Sequence, residues 1–221
     1  MKRSLLALLF IVVISPAFAQ TVKYGINGGL NEATILTGET PYSDSRVAGF
    51  SAGVFSDISF GNVSIQPGLY YITKGGKDKV FELNGPPSNY SYTAIGYVKE
   101  KISYLQLPVN ILYHIKAGEG KFFLGGGPYI AYGLLCSSST QSETTDGEPI
   151  TYALPETNML QFGNGEEDIK RIDFGLNATG GYMIRNGLFI SAGFEYGLTK
   201  ITNTDDKANN DVLTASLGYC F

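Results

Sequence analysis

Residues 172–198 read IDFGLNATGGYMIRNGLFISAGFEYGL, and this stretch decides the fold. On both sides of residues 185–187, apolar or aromatic side chains occupy every second position, and mostly glycine or small polar residues lie between them. A period of two is typical of a β-strand whose two faces meet different surroundings. A three-residue hairpin favours glycine at its left-handed position, which Gly187 supplies. The stretch therefore predicts two antiparallel strands whose register places Glu195 opposite Asn177.

The same period of two recurs along the rest of the chain. It predicts eight strands, at residues 21–31, 46–56, 62–73, 101–115, 121–133, 170–184, 188–199 and 211–221. Most of them reach the roughly 9–11 residues with which a tilted strand crosses a bilayer. The hairpin register also places Thr199 opposite Asp173. Because soluble β-sandwiches alternate as well, the connections between strands have to separate the two classes.

These connections alternate in length along the chain. They are short at residues 57–61, 116–120 and 185–187, and long at residues 31–45, 74–100, 134–169 and 200–210. With an even number of strands, all short connections collect at one end of the sheet and all long ones at the other. Outer-membrane barrels have short periplasmic turns and long outer loops. We therefore predict an all-β fold, an eight-stranded antiparallel up-and-down transmembrane β-barrel.

The composition agrees with a barrel in a membrane. Charged residues make up 16% of the chain, against roughly 25% in an ordinary soluble domain. Mean hydropathy is nevertheless near zero, at +0.02. After residue 19 no apolar run approaches the ~20 residues of a membrane-spanning helix. Strands with one lipid-facing and one polar face average out in this way.

Residues 1–19 are typical of a secretory signal peptide. Lys2 and Arg3 precede an apolar run, and Ala17 and Ala19 form a small-x-small cleavage site. Cleavage would leave residues 20–221 as the barrel domain, without a further soluble domain. Of the 16 basic residues, 14 would remain against 20 acidic ones, a net charge of about −6. A nucleic-acid partner is therefore not expected, because nucleic-acid binders need a basic face.

Polar side chains on the inward face are the candidates for a site in the lumen. They are Glu195, Asn177, Lys23, Gln66, Gln106 and His114. An eight-stranded barrel is just wide enough to be filled by its own side chains, so a general diffusion pore is not expected. An unpaired buried carboxylate costs several kcal/mol, so Glu195 needs a partner, for which Lys23 and Arg171 are candidates. A structural polar network is favoured over an ion path.

The sequence shows no catalytic, cofactor or metal motif. His114 is the single histidine, no Gly-x-Ser-x-Gly occurs, and one histidine with two cysteines makes no zinc cluster. Cys136 and Cys220 fall at opposite ends of the predicted barrel, so we expect two free thiols. The predicted loop 134–169 carries seven acidic residues and no lysine or arginine up to Asp168. A solvated loop is favoured there over a cation site.

Five stretches carry a family resemblance. They are IQPGLYYITKGGK at 65–77, YLQLPVNILY at 104–113, FLGGGPYIA at 123–131, DFGLN at 173–177 and GYCF at 218–221. Through them the chain resembles the PorT-type outer-membrane β-barrel proteins of Gram-negative bacteria, small barrels like OmpA and OmpX. The resemblance implies an outer-membrane location, and some members of that family serve protein secretion. It also implies that Phe221, with Tyr219 and Leu217, is an assembly signal read by the barrel assembly machinery.

These observations lead to one favoured function and two rivals. We expect a non-enzymatic scaffold or interaction barrel, surrounded by outer-membrane lipid, that contacts an envelope protein through loops 74–100 and 134–169. One rival is a narrow conduit or a lumen that binds a small ligand, which would depend on Glu195. The other is an enzyme at the membrane surface, which would depend on His114.

Overall fold

The computed structural model describes residues 21–37, 46–84, 93–145, 151–152, 156–163, 165, 168–203 and 208–221. These residues form ten strands: β1 (Thr21–Thr37), β2 (Val47–Phe60), β3 (Val63–Asn84), β4 (Thr93–Ala117), β5 (Gly120–Thr145), β6 (Thr151–Tyr152), β7 (Glu156–Met159), β8 (Ile172–Ile184), β9 (Leu188–Gly197) and β10 (Ala208–Cys220). In the part of the chain that is described, no helix is long and apolar enough to cross a membrane.

Eight of the strands close into an antiparallel barrel, which confirms the predicted fold. The order around the barrel is β4-β3-β2-β1-β10-β9-β8-β5, and pairing of β4 with β5 closes the ring. The short strands β6 and β7 both pair with β5 beyond the barrel. The predicted register of the β8–β9 hairpin is confirmed, with Asn177 opposite Glu195. Among the eight barrel strands, consecutive strands therefore pair throughout, and the last, β10, pairs with the first, β1.

Three tight turns define what we call the short-turn end. Gly61 and Gly118 open two-residue turns with φ of 66° and 56°, and Gly187 ends the three-residue turn with φ of 94°. A positive φ at the first position of a two-residue hairpin fits the type II′ turn, which matches the twist of the flanking strands. Two of these connections are shorter than predicted because β2 and β4 continue to Phe60 and Ala117.

At the opposite, long-loop end, the predicted loops 74–100 and 134–169 are wrong as loops. Strand β3 continues to Asn84 and pairs with β4 from Thr93, while β5 continues to Thr145. This pairing supplies hydrogen-bond partners to backbone groups beyond the bilayer, where irregular loops would leave them to water. The sheet therefore rises well past the part of the barrel that can lie in the membrane.

The outward face carries a continuous apolar band. In β4 it consists of Leu105, Leu107, Val109, Ile111, Tyr113 and Ile115, each at least 40% exposed. Ten residues cover about 33 Å along a strand, or roughly 25 Å across the membrane at a tilt of about 40°. Soluble monomers rarely expose an apolar surface this large, whereas the lipid-facing belt of a membrane barrel does.

The inward face is packed in two layers. The upper layer, toward the long-loop end, consists of Ala33, Ile35, Ile72, Ile102, Tyr104, Tyr129, Ala131, Cys136, Ile169, Ile201 and Val212. The lower layer, toward the short-turn end, consists of Phe55, Leu112, Phe123, Met183, Phe189 and Cys220. Cys136 and Cys220 are thus in different layers, and both are free thiols.

Strand β3 leans over the lumen at the long-loop end. Its pairing with β2 reaches only to Ile72 opposite Ser51. Beyond this point Asn31 of β1 donates from Nδ2 to the carbonyl of Thr73 at 2.6 Å. A Cβ on Gly76 would lie 3.1 Å from Ile35 of the same strand β1. This lean carries the next inward side chain, that of Lys74, into the middle of the barrel.

Candidate functional site in the barrel lumen

A buried lysine between two carboxylates occupies the upper half of the lumen. Lys74 is 1% exposed, and its Nζ lies 3.2 Å from Oδ2 of Asp173 and 3.1 Å from Oε2 of Glu195. Lys74 belongs to β3, which lies across the barrel from the neighbouring strands β8 and β9 that contribute the carboxylates. The ion pairs therefore tie the barrel wall together across its interior.

The carboxylates are held by further hydrogen bonds. Asp173 accepts from Thr199 at 2.8 Å, from Asn210 at 3.1 Å and from Tyr129 at 3.2 Å. Glu195 accepts from Nε2 of Gln106 at 2.8 Å. A buried ion pair is stabilised when hydrogen bonds satisfy the remaining lone pairs. These bonds reach both oxygens of Asp173 and Oε1 of Glu195, whose Oε2 contacts Lys74.

Two tyrosine rings enclose the ammonium group. Nζ of Lys74 lies 4.0 Å from the ring centroid of Tyr129 and 5.6 Å from that of Tyr104. Both distances are within the range of cation–π attraction. The rings are almost fully buried, as is Lys74, so solvent does not reach the ammonium group at this level.

Below this network lies a small polar cavity of about 100 Å³. Gln66, Gln106, Asn110 and Asn177 contribute to its lining, and Glu195 lies at its upper side. A volume of this size holds about three water molecules. Within the described residues, Oδ1 of Asn110 and Oε1 of Gln106 have no protein partner, and ordered water is the usual partner of such buried oxygens.

At the short-turn end, His114 is held by a serine. Its Nε2 lies 2.8 Å from Oγ of Ser64 on the neighbouring strand, and its ring packs at 6.4 Å from that of Phe123. Asp57 is also buried there, at 1% exposure, and its Oδ1 has no partner among the described residues. Because Ser64 is completely buried, no substrate reaches this serine in the folded barrel.

Five of the six predicted lumen residues line the cavity. Glu195, Asn177, Gln66, Gln106 and His114 all contribute to the cavity lining. Lys23 does not, because it lies exposed at the short-turn end of β1, opposite Asp57.

Arg171 is not the partner of Glu195 either. It donates to the hydroxyl of Tyr132 at 3.0 Å, and its guanidinium stacks over the ring of Phe162 at 4.9 Å.

Sequence reasoning missed Lys74, the partner that Glu195 needs. The predicted third strand ends at residue 73, which leaves Lys74 in the predicted loop 74–100. A signal was nevertheless present, because Lys74 continues the inward parity of Gln66 and Tyr70. Asp173, which was predicted to face inward, becomes the most heavily hydrogen-bonded carboxylate of the network.

Most of the acidic residues predicted in loop 134–169 lie outside the residues, or the side chains, that are described. Asp168 is described, and its Oδ2 accepts from the backbone amide of Gly165 at 2.8 Å. Within the described ranges, no group of three or more His, Cys, Asp or Glu residues is arranged to hold a metal ion.

The outward aromatic residues at the end of β10 lie on the lipid-facing side, as predicted. Phe221 is 66% exposed, Leu217 is 55% exposed, and the rings of Tyr219 and Phe221 meet edge to face at 5.2 Å. The backbone amide of Phe221 donates to the carbonyl of Tyr24 on β1 at 2.8 Å, which completes the closure of the barrel.

The sequence matches a family model described as "Outer membrane protein beta-barrel domain" over residues 18–203. The chain therefore belongs to the outer-membrane protein β-barrel domain family, and this assignment supports a location in the outer membrane. No curated protein matches the chain.

Solved structures similar to this chain are also outer-membrane proteins. Neisserial surface protein A is 12% identical, with 92% of this chain and 99% of that chain covered, at a TM-score of 0.37. OprB of Pseudomonas putida is 6% identical, with coverage of 91% and 94% and a TM-score of 0.28. The translocator domain of the autotransporter NalP from Neisseria meningitidis is 12% identical, with coverage of 100% and 95% and a TM-score of 0.27. At such low TM-scores these likenesses add no argument about function.

Proposed function

We propose that this protein is a non-enzymatic outer-membrane barrel that acts as a scaffold or interaction protein through its long-loop end. The observation that carries the proposal is the closed lumen: Lys74, clamped by Asp173 and Glu195, occupies the space through which a solute would have to pass. A barrel that transports nothing has to act through the surfaces it presents. One of these surfaces is the sheet of β3, β4 and β5 that rises beyond the apolar band.

The nature of this sheet supports a role in protein binding. Pairing of β3 with β4 reaches Asn84 opposite Thr93, with one register shift between Lys79 and Phe81, so the hairpin is an ordered element rather than a loose loop. A preformed surface loses less conformational entropy on binding than a flexible one. An accessory role in protein secretion, which the resemblance to PorT-type proteins suggests, is the specific form of this proposal.

Capture of a partner from intact outer membranes tests the proposal. In the test variant, residues 79–97 are replaced by Asn-Gly, because Asp78 lies opposite Val98 and a two-residue turn can join them. A matched control carries an insertion in the short turn at Gly118 and leaves the hairpin intact. We expect cross-linking to recover an envelope protein with the wild type and the control but not with the shortened hairpin.

Recovery of the same partner with the shortened hairpin would contradict the proposal, as would the absence of any cross-linked protein from the wild type. Slower migration on unboiled gels identifies variants that fail to fold, so that a folding defect is not taken for a lost partner.

A narrow conduit is the second candidate, and the polar cavity below Lys74 favours it. Conduction would require the ion pair between Lys74 and Glu195 to open. The test is conductance in planar bilayers with the wild type and with Glu195→Gln. We expect no conducting steps from either protein; steps in the wild type that change with Glu195→Gln would replace our proposal with a conduit.

The non-enzymatic part of the proposal is supported by the burial of Ser64 behind His114. Hydrolysis through a serine needs an exposed hydroxyl as well as an oriented histidine. The measurement is hydrolysis of phospholipid esters by the folded wild type and by His114→Gln. We expect neither protein to exceed the lipid blank; hydrolysis that disappears with His114→Gln would contradict this part.

A further inference from the structure

Three lysines lie together on the outward face of the β3–β4 hairpin. Lys77 of β3 is directly opposite Lys99 of β4, and Lys101 follows two positions along β4 on the same face. All three are partly exposed. Glu100 lies between the two β4 lysines in sequence but points to the other face, because successive strand residues alternate. We call Lys77, Lys99 and Lys101 the lysine patch.

The height of the lysine patch relative to the membrane follows from the apolar band. Leu105 is the last exposed apolar residue of β4 toward the long-loop end, and Lys101 lies four residues beyond it. At about 3.3 Å per residue and a tilt of about 40°, the backbone of Lys101 stands roughly 10 Å above the band. By the same measure Lys99 stands roughly 15 Å above the band. Lipid headgroups extend about 5–8 Å beyond the hydrocarbon core, so the side chain of Lys101 reaches down among them and that of Lys99 reaches close to their outer edge.

The positive charges of the lysine patch act on one another. Like charges directly opposite in a sheet are destabilising. Partial burial, followed by repulsion from Lys101 and Lys77, lowers the pKa of Lys99 below its ordinary value. Among the described residues, no carboxylate forms an ion pair with Lys99 or Lys101. An anion in contact with the lysine patch would remove this repulsion.

The residues around the lysine patch favour binding of a lipid over binding of a soluble anion. Ser137 of β5 lies beside Lys101, and Met159 of β7 lies next to Ser137 in the same row. Met159 is 68% exposed, and Leu135, one row closer to the band, is 56% exposed. Cationic and hydroxyl groups thus border exposed apolar side chains that continue into the lipid-facing belt. Cationic groups above and apolar side chains below are the arrangement that would contact the anionic headgroup and the acyl chains of a lipid.

We propose that Lys99 and Lys101 of the lysine patch bind the phosphate headgroup of an anionic lipid in the outer leaflet. The bound lipid anchors the foot of the β3–β4 hairpin at the membrane surface. The lipid-binding site is therefore separate from the tip of the β3–β4 hairpin, where we propose that the protein partner binds. The shortened hairpin described above retains all three lysines, so the two proposals are tested by different variants.

The test uses detergent-solubilised full-length protein, titrated with phosphatidylglycerol and, in parallel, with phosphatidylcholine. The variant is Lys99→Gln with Lys101→Gln. The matched control is Lys116→Gln with Lys121→Gln, which removes the same charge from a cross-strand pair at the short-turn end. At the strength of lysine attraction to anionic lipid surfaces, we expect the variant to bind phosphatidylglycerol about thirtyfold more weakly. Its affinity for phosphatidylcholine and both affinities of the control should equal those of the wild type.

Three results would overturn the proposal. The first is a wild type that binds the two lipids equally well. The second is a control that loses as much affinity as the variant, because the effect would then be one of net charge. The third is displacement of phosphatidylglycerol by inorganic phosphate at equal concentration, which would show a site for free anions. Unboiled gel mobility reports whether each variant is folded.

Discussion

The upper and lower halves of the lumen fill the same narrow barrel by different physical means. In the upper half, a buried cation, Lys74, is surrounded by two carboxylates and two tyrosine rings, and both carboxylates accept further side-chain hydrogen bonds. In the lower half, aromatic rings pack edge to face, as Phe189 does with Phe55 at 5.8 Å and with Phe123 at 5.9 Å.

The two halves of the lumen differ most clearly in the partners of one buried carboxylate from each half. Asp173 and Asp57 are equally buried, at 1% exposure. Asp173 contacts Lys74 and accepts three further side-chain hydrogen bonds, whereas Oδ1 of Asp57 has no partner among the described residues. Burial alone therefore does not identify the carboxylate on which the structure depends; the number and charge of its partners do.

Removal of the buried cation should have the largest effect. Lys74→Met leaves Asp173 and Glu195 close together without a counter-charge, and loss of one partner of a buried pair costs about 3–5 kcal/mol. The measurement is the free energy of unfolding in urea with the barrel in detergent micelles. The triple variant Lys74→Met, Asp173→Asn, Glu195→Gln serves as the control and should be less destabilised than Lys74→Met alone. A single variant within 1 kcal/mol of wild type would show that the network is not structural.

Truncation of an aromatic ring in the lower layer should cost somewhat less. Phe189→Ala removes contacts with two other rings and leaves a cavity, for which about 3 kcal/mol is typical. Ile190→Ala on the neighbouring, lipid-facing position is the control, since that side chain is 63% exposed to the bilayer side. The same urea titration compares the two. Equal losses would mean that the lower layer is not a packed core.

Neutralising each of the two buried aspartates in turn compares the upper and lower halves of the lumen directly. Asp173→Asn weakens one ion pair and several charge-assisted hydrogen bonds, so we expect a loss of about 2–3 kcal/mol. Asp57→Asn removes a buried charge that lacks a full set of partners, and we expect a change within about 1 kcal/mol of zero. Unfolding titrations of both variants at one pH give the comparison. Equal destabilisation by the two substitutions would show that the interactions of Asp57 stabilise the barrel as much as those of Asp173.

The smallest effects concern the turns at the short-turn end. Gly187→Ala places a Cβ against the carbonyl oxygen of Cys220 in addition to the cost of a positive φ. Gly118→Ala meets the same backbone cost but has no atom within 4 Å of the new Cβ. We expect about 1 kcal/mol for Gly118→Ala and about 1 kcal/mol more for Gly187→Ala. Equal thermal midpoints of the two variants would contradict the close approach at Gly187.

Much of this architecture follows from local pattern. The alternation in residues 172–198, together with the hairpin at Gly187, predicts the register that β8 and β9 have from Gly175 opposite Gly197 to Met183 opposite Phe189. Thr199 lies beyond the end of β9 and donates to Asp173, the residue it was expected to face. Prediction failed where the pattern loses its apolar contrast. Residues 74–84 and 93–100 lie above the bilayer, where neither face meets lipid, and the strands there continue without the alternation that marks them below.

The amino-acid sequence by itself determined the number of barrel strands, the face that each of their side chains takes and the end at which each connection lies. These depend on neighbours within a few residues and on the thickness of a bilayer. Only the tertiary structure decided which inward groups meet. Lys74 and Asp173 are 99 residues apart, and their contact requires barrel closure and the lean of β3 toward β1. Since strand parity says that a charge points inward but not at what height or toward which wall, the partner of Glu195 could be named only from the folded barrel.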